Sequence, residues 1–182
     1  MKIKIKAALV AGAGAAAIAA ALSGAGSANA SCASLNGHNI GQGCTSTVGS
    51  ASVGLGRDAQ AVSAGPGSVA VAVGNPGFNR FYPNKATIPT KADAQGTGNV
   101  SVALGDGSNA GTLGTGNHAF VLGQGSNAFS YGGNAGNPLT SFAGNHNTSV
   151  TVGNGSEAGA VGNHQVSTAF GNGHQRQNNG LK

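Results

Sequence analysis

The chain has 182 residues, 34 of them glycine and none tryptophan, with only 7% charged residues and a formal net charge of +5. Such a composition excludes an ordinary leucine-rich globular core and points to a repetitive architecture. Three of the nine Lys and Arg residues stand within the first six positions, and without them six cations face four acids, so no basic stripe remains to bind nucleic acid.

From the N-terminus, Lys2, Lys4 and Lys6 precede an apolar Ala/Gly-rich stretch from Ala7 to Leu22, and Ala28-Asn29-Ala30 forms a small-x-small cleavage site. Residues 1–30 therefore read as a signal peptide. The stretch falls short of the roughly 20 strongly apolar residues a membrane helix needs, so no span is expected after cleavage. The mature chain is expected to be secreted, extracellular or associated with the cell envelope. Cys32 and Cys44, the only cysteines, follow at once. In an oxidising compartment they are expected to form one disulfide, worth about 2–3 kcal/mol, that pins residues 31–50 as an N-terminal cap. A lipidated Cys32 is the competing reading, but Asn29 stands where a lipoprotein signal carries Leu.

Residues 51–175 carry the repeat. Glycines recur nine apart at Gly56, Gly65 and Gly74, then from Gly96 through Gly105, Gly114 and Gly123 to Gly132, then from Gly144 through Gly153 and Gly162 to Gly171. The turn text alternates, Ser-Asn after Gly107, Asn-His after Gly116 and Ser-Asn after Gly125, so the true period is 18, two strand-plus-turn halves per coil. Glycine and Asn accept positive φ in the turns, and strands such as Val71-Ala72-Val73, Val102-Ala103-Leu104, Phe120-Val121-Leu122 and Val150-Thr151-Val152 alternate with period two. The expected fold is all-β, a parallel β-solenoid or β-roll of about six 18-residue two-strand coils, roughly 29 Å long. By the usual apolar-inside pattern the first and third residues of each triplet line the core. Ala61, Ser63, Ala70, Ala72, Ser101, Ala103, Ala110, Thr112, Ala158 and Ala160 then face outward as flat faces, open to a second copy or simply small.

Ser101-Val102-Ala103-Leu104-Gly105-Asp106-Gly107-Ser108-Asn109-Ala110 resembles the head repeat of trimeric autotransporter adhesins, a parallel β-roll, with a weaker echo over Val150 to Ala158. That family's repeat is typically longer, and its stalk and membrane barrel are not expected within these 182 residues. In period the chain instead resembles the calcium-binding β-roll of the RTX type, yet Asn109, His118 and Asn127 align with its metal-binding Asp and lack carboxylates. Both resemblances imply architecture and carry no activity.

Three features hold candidate chemistry. An insertion at 75–94 breaks the lattice and brings Phe78, Arg80, Phe81, Tyr82 and Lys85 together in sequence, either as a flap over the roll or as a ligand-binding loop where rings stack on a sugar or apolar group and Arg80 holds an anion. His146 and His164 stand 18 apart and stack in adjacent coils, with His174 as a third metal ligand in the alternative reading of a metal-binding β-roll. Asn145 with Asn163, and Asn154 with Asn172, are expected to form amide ladders. The acids Asp58, Asp93, Asp106 and Glu157 assemble no catalytic pair at the coil period, and Arg57 beside Asp58 reads as a solvated pair. Thr112 and Thr151 make no regular grid for ice. Residues 176–182 read as a flexible tail.

The functional expectation is a secreted or cell-surface structural and binding protein, adhesin-like and non-enzymatic, requiring no cofactor. Its expected partners are an envelope glycan, a surface protein or further copies of itself.

Overall fold

A computed structural model describes residues 32–82, 84–131 and 145–179. The expected signal peptide lies outside the described residues. Within them the chain forms fifteen β-strands and no helix.

The N-terminal strands are β1 (Cys32–Leu35), β2 (His38–Ile40) and β3 (Cys44–Ser46). The coils begin with β4 (Ala51–Leu55), β5 (Gln60–Ala64), β6 (Val69–Val73), β7 (Lys91–Thr97) and β8 (Val100–Leu104). They continue through β9 (Asn109–Thr115), β10 (His118–Leu122), β11 (Asn127–Tyr131), β12 (Thr148–Val152), β13 (Glu157–Val161), β14 (Val166–Phe170) and β15 (Gln175–Asn179). From β3 onward the chain alternates between two sheets. Sheet A runs β14-β12-β10-β8-β6-β4-β1-β2 and sheet B runs β15-β13-β11-β9-β7-β5-β3. All pairings among the coils are parallel; only β1 runs antiparallel, to β2 and β4. The fold is thus the parallel β-solenoid that the 18-residue period predicts, with Leu104 beside Leu122 in register.

The direction of the side chains is the reverse of the expected one. Ala61, Ala70, Ala72, Ala92, Ala103, Ala110, Ala128, Ala158 and Ala160 point inward and are fully buried, as are Ser101 and Ser149, while Leu122 and Phe170 are more than half exposed. The core is an alanine, serine and threonine core, and Val121 is its largest fully buried side chain. Turns of about four residues join the sheets and hold them too close together for rows of Leu or Phe, and Val121 is the one large inward aliphatic among the described coil residues. Inward hydroxyls of one sheet therefore reach backbone carbonyls of the other: Ser52 Oγ donates to Thr45 O at 2.9 Å, Ser130 Oγ to His118 O at 2.6 Å and Thr151 Oγ1 to Asn127 O at 2.7 Å. Each bond satisfies a buried hydroxyl and ties the two layers.

The turns stack as well. At the corner from sheet B to sheet A, a buried ladder runs along the roll: Asn99 Oδ1 accepts from Asn117 N, Asn117 Oδ1 from Asn147 N and Asn147 Oδ1 from Gln165 N, each at 2.8 Å. The expected exposed ladders are also present, with Asn145 N donating to Asn163 Oδ1 and Asn154 N to Asn172 Oδ1, both at 3.0 Å. The first glycine of each A-to-B turn lies directly against the next: a β-carbon on Gly56, Gly105, Gly123 or Gly153 would overlap the carbonyl oxygen of Gly74, Gly123, Gly153 or Gly171 respectively. At the other corner Gly65 and Gly96 lie equally close to Gly96 and Gly114, so close backbone stacking at both corners is the physical origin of the nine-residue glycine lattice.

The two ends close differently. Cys32 and Cys44 form the expected disulfide, joining β1 of sheet A to β3 of sheet B beneath an antiparallel hairpin. A side chain at Gly54 would collide with Cys32 Sγ, so the glycine leaves the room that the bridge fills. At the other end, residues 176–179, expected as tail, belong to β15, and Arg176 and Asn178 occupy the register positions of inward Ala158 and Ala160. A cation at an inward edge position discourages a further strand from adding to the stack.

Candidate functional site

The insertion leaves β6 at Val73 and rejoins the roll at β7, so residues 91–94, expected to lie within it, are strand. Its base closes through a two-way backbone bridge between Gly77 and Ile88, both bonds 2.9 Å, and Thr90 Oγ1 donates to Gly105 O at 2.9 Å. From there residues 77–80 run along the A-to-B corner as a strap. A β-carbon on Gly107 would meet Gly77, one on Gly125 the carbonyl of Phe78, one on Gly155 Arg80 Cδ at 3.4 Å and one on Gly173 Arg80 Nη1 at 3.1 Å. The second glycine of each turn therefore forms a track for the strap, which crosses several coils and ends with Arg80 Nη2 donating to Gly173 O at 3.0 Å.

Asn79 anchors it. This side chain, 1% exposed, donates to Gly107 O at 2.8 Å and Asn127 Oδ1 at 3.0 Å, and its Oδ1 accepts from Phe81 N at 3.0 Å. Sequence reasoning passed over Asn79 because asparagine in a loop is usually exposed; burial needs the roll beneath it.

The five aromatic and cationic residues of the insertion do not form one site. Phe78, 64% exposed, and Arg80 line a groove of about 610 Å³ along the corner with Asp106, Gln124, Asn154 and Asn172. The Arg80 guanidinium also lies 4.9 Å from the centre of the half-buried Phe81 ring. Glu157 stands near this guanidinium, and its carboxyl is pushed above its ordinary value by burial, an effect the cation partly offsets. Tyr82 turns the other way, accepting from Asn109 Nδ2 of sheet B at 3.3 Å, and Lys85 is exposed beyond it. The insertion is thus a strap whose flanks are available to a ligand.

The histidines separate into two groups. His146 and His164 stack as the period predicts, ring centres 5.3 Å apart and 11° from parallel, both in left-handed backbone at φ 60° and 56°. His174 follows β14 at the opposite corner, so it does not join them. Parallel rings aim their in-plane nitrogen lone pairs side by side and do not converge on one ion, and zinc sites take three or four ligands. Among the described residues no group of three or more His, Cys, Asp or Glu is placed to hold a metal. Arg57 and Asp58 form no ion pair; the ion pair found among the described residues joins Lys91 and Asp93 at 3.8 Å.

The side-chain reversal turns an apolar face outward on sheet A, open from β6 to β14, whereas Ala51 and Val53 of β4 are buried. Three outward ladders cross six strands of sheet A: Ala51, Val69, Val100, His118, Thr148, Val166; Val53, Val71, Val102, Phe120, Val150, Thr168; and Leu55, Val73, Leu104, Leu122, Val152, Phe170. None of these eighteen positions holds Asp, Glu, Lys or Arg. The outer face of sheet B is mixed, with Lys91, Asp93 and Glu157 among small and aromatic residues.

Among the described residues no helix is long and apolar enough to cross a membrane. No protein-family model, curated protein or solved structure matches the chain, so its likeness to adhesin heads and RTX rolls rests on repeat architecture alone.

Proposed function

We propose that this chain is an exported, surface-displayed structural and binding module, adhesin-like and non-enzymatic, that associates with further copies of itself through the outer face of sheet A. The observation that carries the reading is the uncharged apolar face. Across the open strands from β6 to β14, at ordinary strand and residue spacings, it measures roughly 24 by 15 Å, or about 360 Å² in projection. An exposed apolar patch of that size commonly marks an interaction site. With no charge to pair, its partner must be equally apolar and flat. A second copy supplies such a face with the same strand pitch, so ridges of one can lie between ridges of the other in aligned sheet packing. The face sits at the lower end of specific interfaces, which favours micromolar over nanomolar association.

The disulfide suits an oxidising, exported setting, and repetitive solenoids whose coils hold one another serve extracellular scaffolding well. An envelope glycan or surface protein remains the expected partner for the faces left open by self-association. The four acids are dispersed, with Asp106 Oδ1 already accepting from Asn75 N at 2.8 Å, which supports the non-enzymatic reading.

Sedimentation of the disulfide-intact protein, up to roughly 0.5 mM, tests the association. Wild type is expected to form a concentration-dependent oligomer, and Val102→Lys and Leu122→Asp are expected to remain folded monomers. A wild-type monomer throughout, or variants that assemble unchanged, would overturn the reading.

A further inference from the structure

The chain contains two tyrosines, and the fold directs both to the outer face of sheet B. Tyr82 arrives from the insertion and is tied to Asn109 of β9, while Tyr131 closes β11, where its ring stacks on Phe129 with centres 5.6 Å apart and planes 20° from parallel. Gly111 of β9 pairs in register with Phe129, and a β-carbon there would come within 3.2 Å of Phe129 Cδ1 and 2.9 Å of Tyr131 Oη. Both rings thus lean across the strand over a glycine that leaves them room. Beside them opens a hollow of about 320 Å³ lined by Asp93, Gln95, Gly111, Thr112, Leu113 and Tyr131.

The polar groups at the rim are already oriented. Gln95 Nε2 donates to both Asp93 oxygens at 3.0 and 3.1 Å, and Lys91 Nζ lies 3.8 Å from Asp93 Oδ2. The Tyr131 hydroxyl makes no hydrogen bond to another described residue. Burial and the Asp93 charge hold its proton on, so it stands as a donor at neutral pH.

We propose that this hollow is a binding site for a neutral saccharide, with one pyranose ring laid against the Tyr131 ring, which Phe129 backs from the other side, and its hydroxyls bonded to Asp93, Gln95 and Tyr131. A pyranose has an apolar C–H face and a rim of hydroxyls, which matches an aromatic and aliphatic floor edged by a carboxylate, an amide and a phenol. Charge selects among ligand classes. Asp93 and Lys91 cancel each other, so a cationic ligand displaces Lys91, an anionic one meets the Asp93 carboxylate, and a wholly apolar one strips water from both without replacing it. The site lies on the sheet opposite the self-association face and shares no residue with it, so either proposal can fail alone.

Because the chain lacks tryptophan, tyrosine fluorescence reports directly on the site. The disulfide-intact protein is titrated with methyl glycosides of glucose, galactose, mannose and N-acetylglucosamine and their β-linked disaccharides, with sialic acid as the anionic comparator and calorimetry as a second readout. At least one neutral saccharide is expected to give a saturable change with a dissociation constant near 1 mM or tighter, as expected for one small hollow. Asp93→Ala, Phe129→Ala and Tyr131→Phe are each expected to weaken it at least about tenfold, the effect of losing a buried hydrogen bond or stacking partner. Gly111→Ala, which pushes the rings aside, provides an independent steric check. Leu122→Asp, altered on sheet A, is expected to bind as wild type does. No response to any neutral saccharide, a preference for sialic acid, or unchanged binding in both Asp93→Ala and Tyr131→Phe would overturn the proposal.

Discussion

The hydroxyl of Ser101 in β8 donates to the backbone carbonyl of Asp93 in β7 at 2.6 Å, so the two sheets are separated by little more than one serine side chain. A core that thin makes a direct prediction about neighbours in the same strand. Ala103→Leu forces a branched side chain into filled space and is expected to cost about 3 kcal/mol or more. Leu104→Ala, on the outer face, is expected to cost under about 1.5 kcal/mol in the monomer, since the side chain is only partly buried. Urea unfolding of both variants measures this, and the reverse ranking would restore the apolar-inside arrangement.

Two glycines with positive φ separate backbone cost from crowding. Gly98, at φ 64°, has nothing within 4 Å of a new β-carbon, so Gly98→Ala is expected to cost about 1 kcal/mol. Gly105, at φ 122°, would meet the Gly123 carbonyl, so Gly105→Ala is expected to cost about 3 kcal/mol or more. Denaturation midpoints at constant slope compare them directly.

The buried and exposed amide ladders should differ in worth. Asn117→Ala deprives the Asn147 N–H of its acceptor and the Leu113 carbonyl of a donor at 2.7 Å, both within the protein, at an expected cost of about 2–4 kcal/mol. Asn154→Ala exposes the Gln124 N–H to water instead and is expected to cost under about 1 kcal/mol. Similar losses for the two would show that burial does not set the value of a rung.

Stability should depend on pH through His118. Its imidazole titrates below the ordinary 6.5, chiefly because burial disfavours the charged ring and secondly because His146 lies close. The unfolded chain then binds more protons between the lowered value and 6.5, so this contribution is complete above pH 6.5 and is lost as pH falls below it. Melting temperature is expected to drop from pH 7.5 to 5.5, and His118→Thr, the residue at the matching position 148, is expected to flatten part of that drop. An unchanged slope in the variant would place the dependence elsewhere.

Much of this was legible before folding, and the failures have specific causes. The period of 18 predicts the pairing of Leu104 with Leu122 and the stacking of His146 on His164 because a solenoid turns sequence distance into axial distance. The same period reaches from Asn99 to Asn117 but not to the next rung of that ladder, Asn147, which stands 30 residues beyond Asn117 across an interruption. Nor does it unite Tyr82 with the patch at Phe129 and Tyr131, since an insertion outside the lattice has no register to follow. The alternation of Phe129 and Tyr131 in a chain with eight aromatics was the available signal for that patch.

By itself the sequence determined the coil, its axial neighbours and its disulfide, because glycine spacing and strand alternation are local properties that repetition amplifies. Only the tertiary structure decided which face of each strand points inward. Alternation with period two is symmetric between the faces, and the choice rests on the gap between sheets, set by short turns and spanned by Ser101 to Asp93. That gap admits alanine, serine and threonine, with Val121 the one inward valine of the coils, and sends leucine, phenylalanine and the other coil valines to the outer faces, where the proposed association takes place.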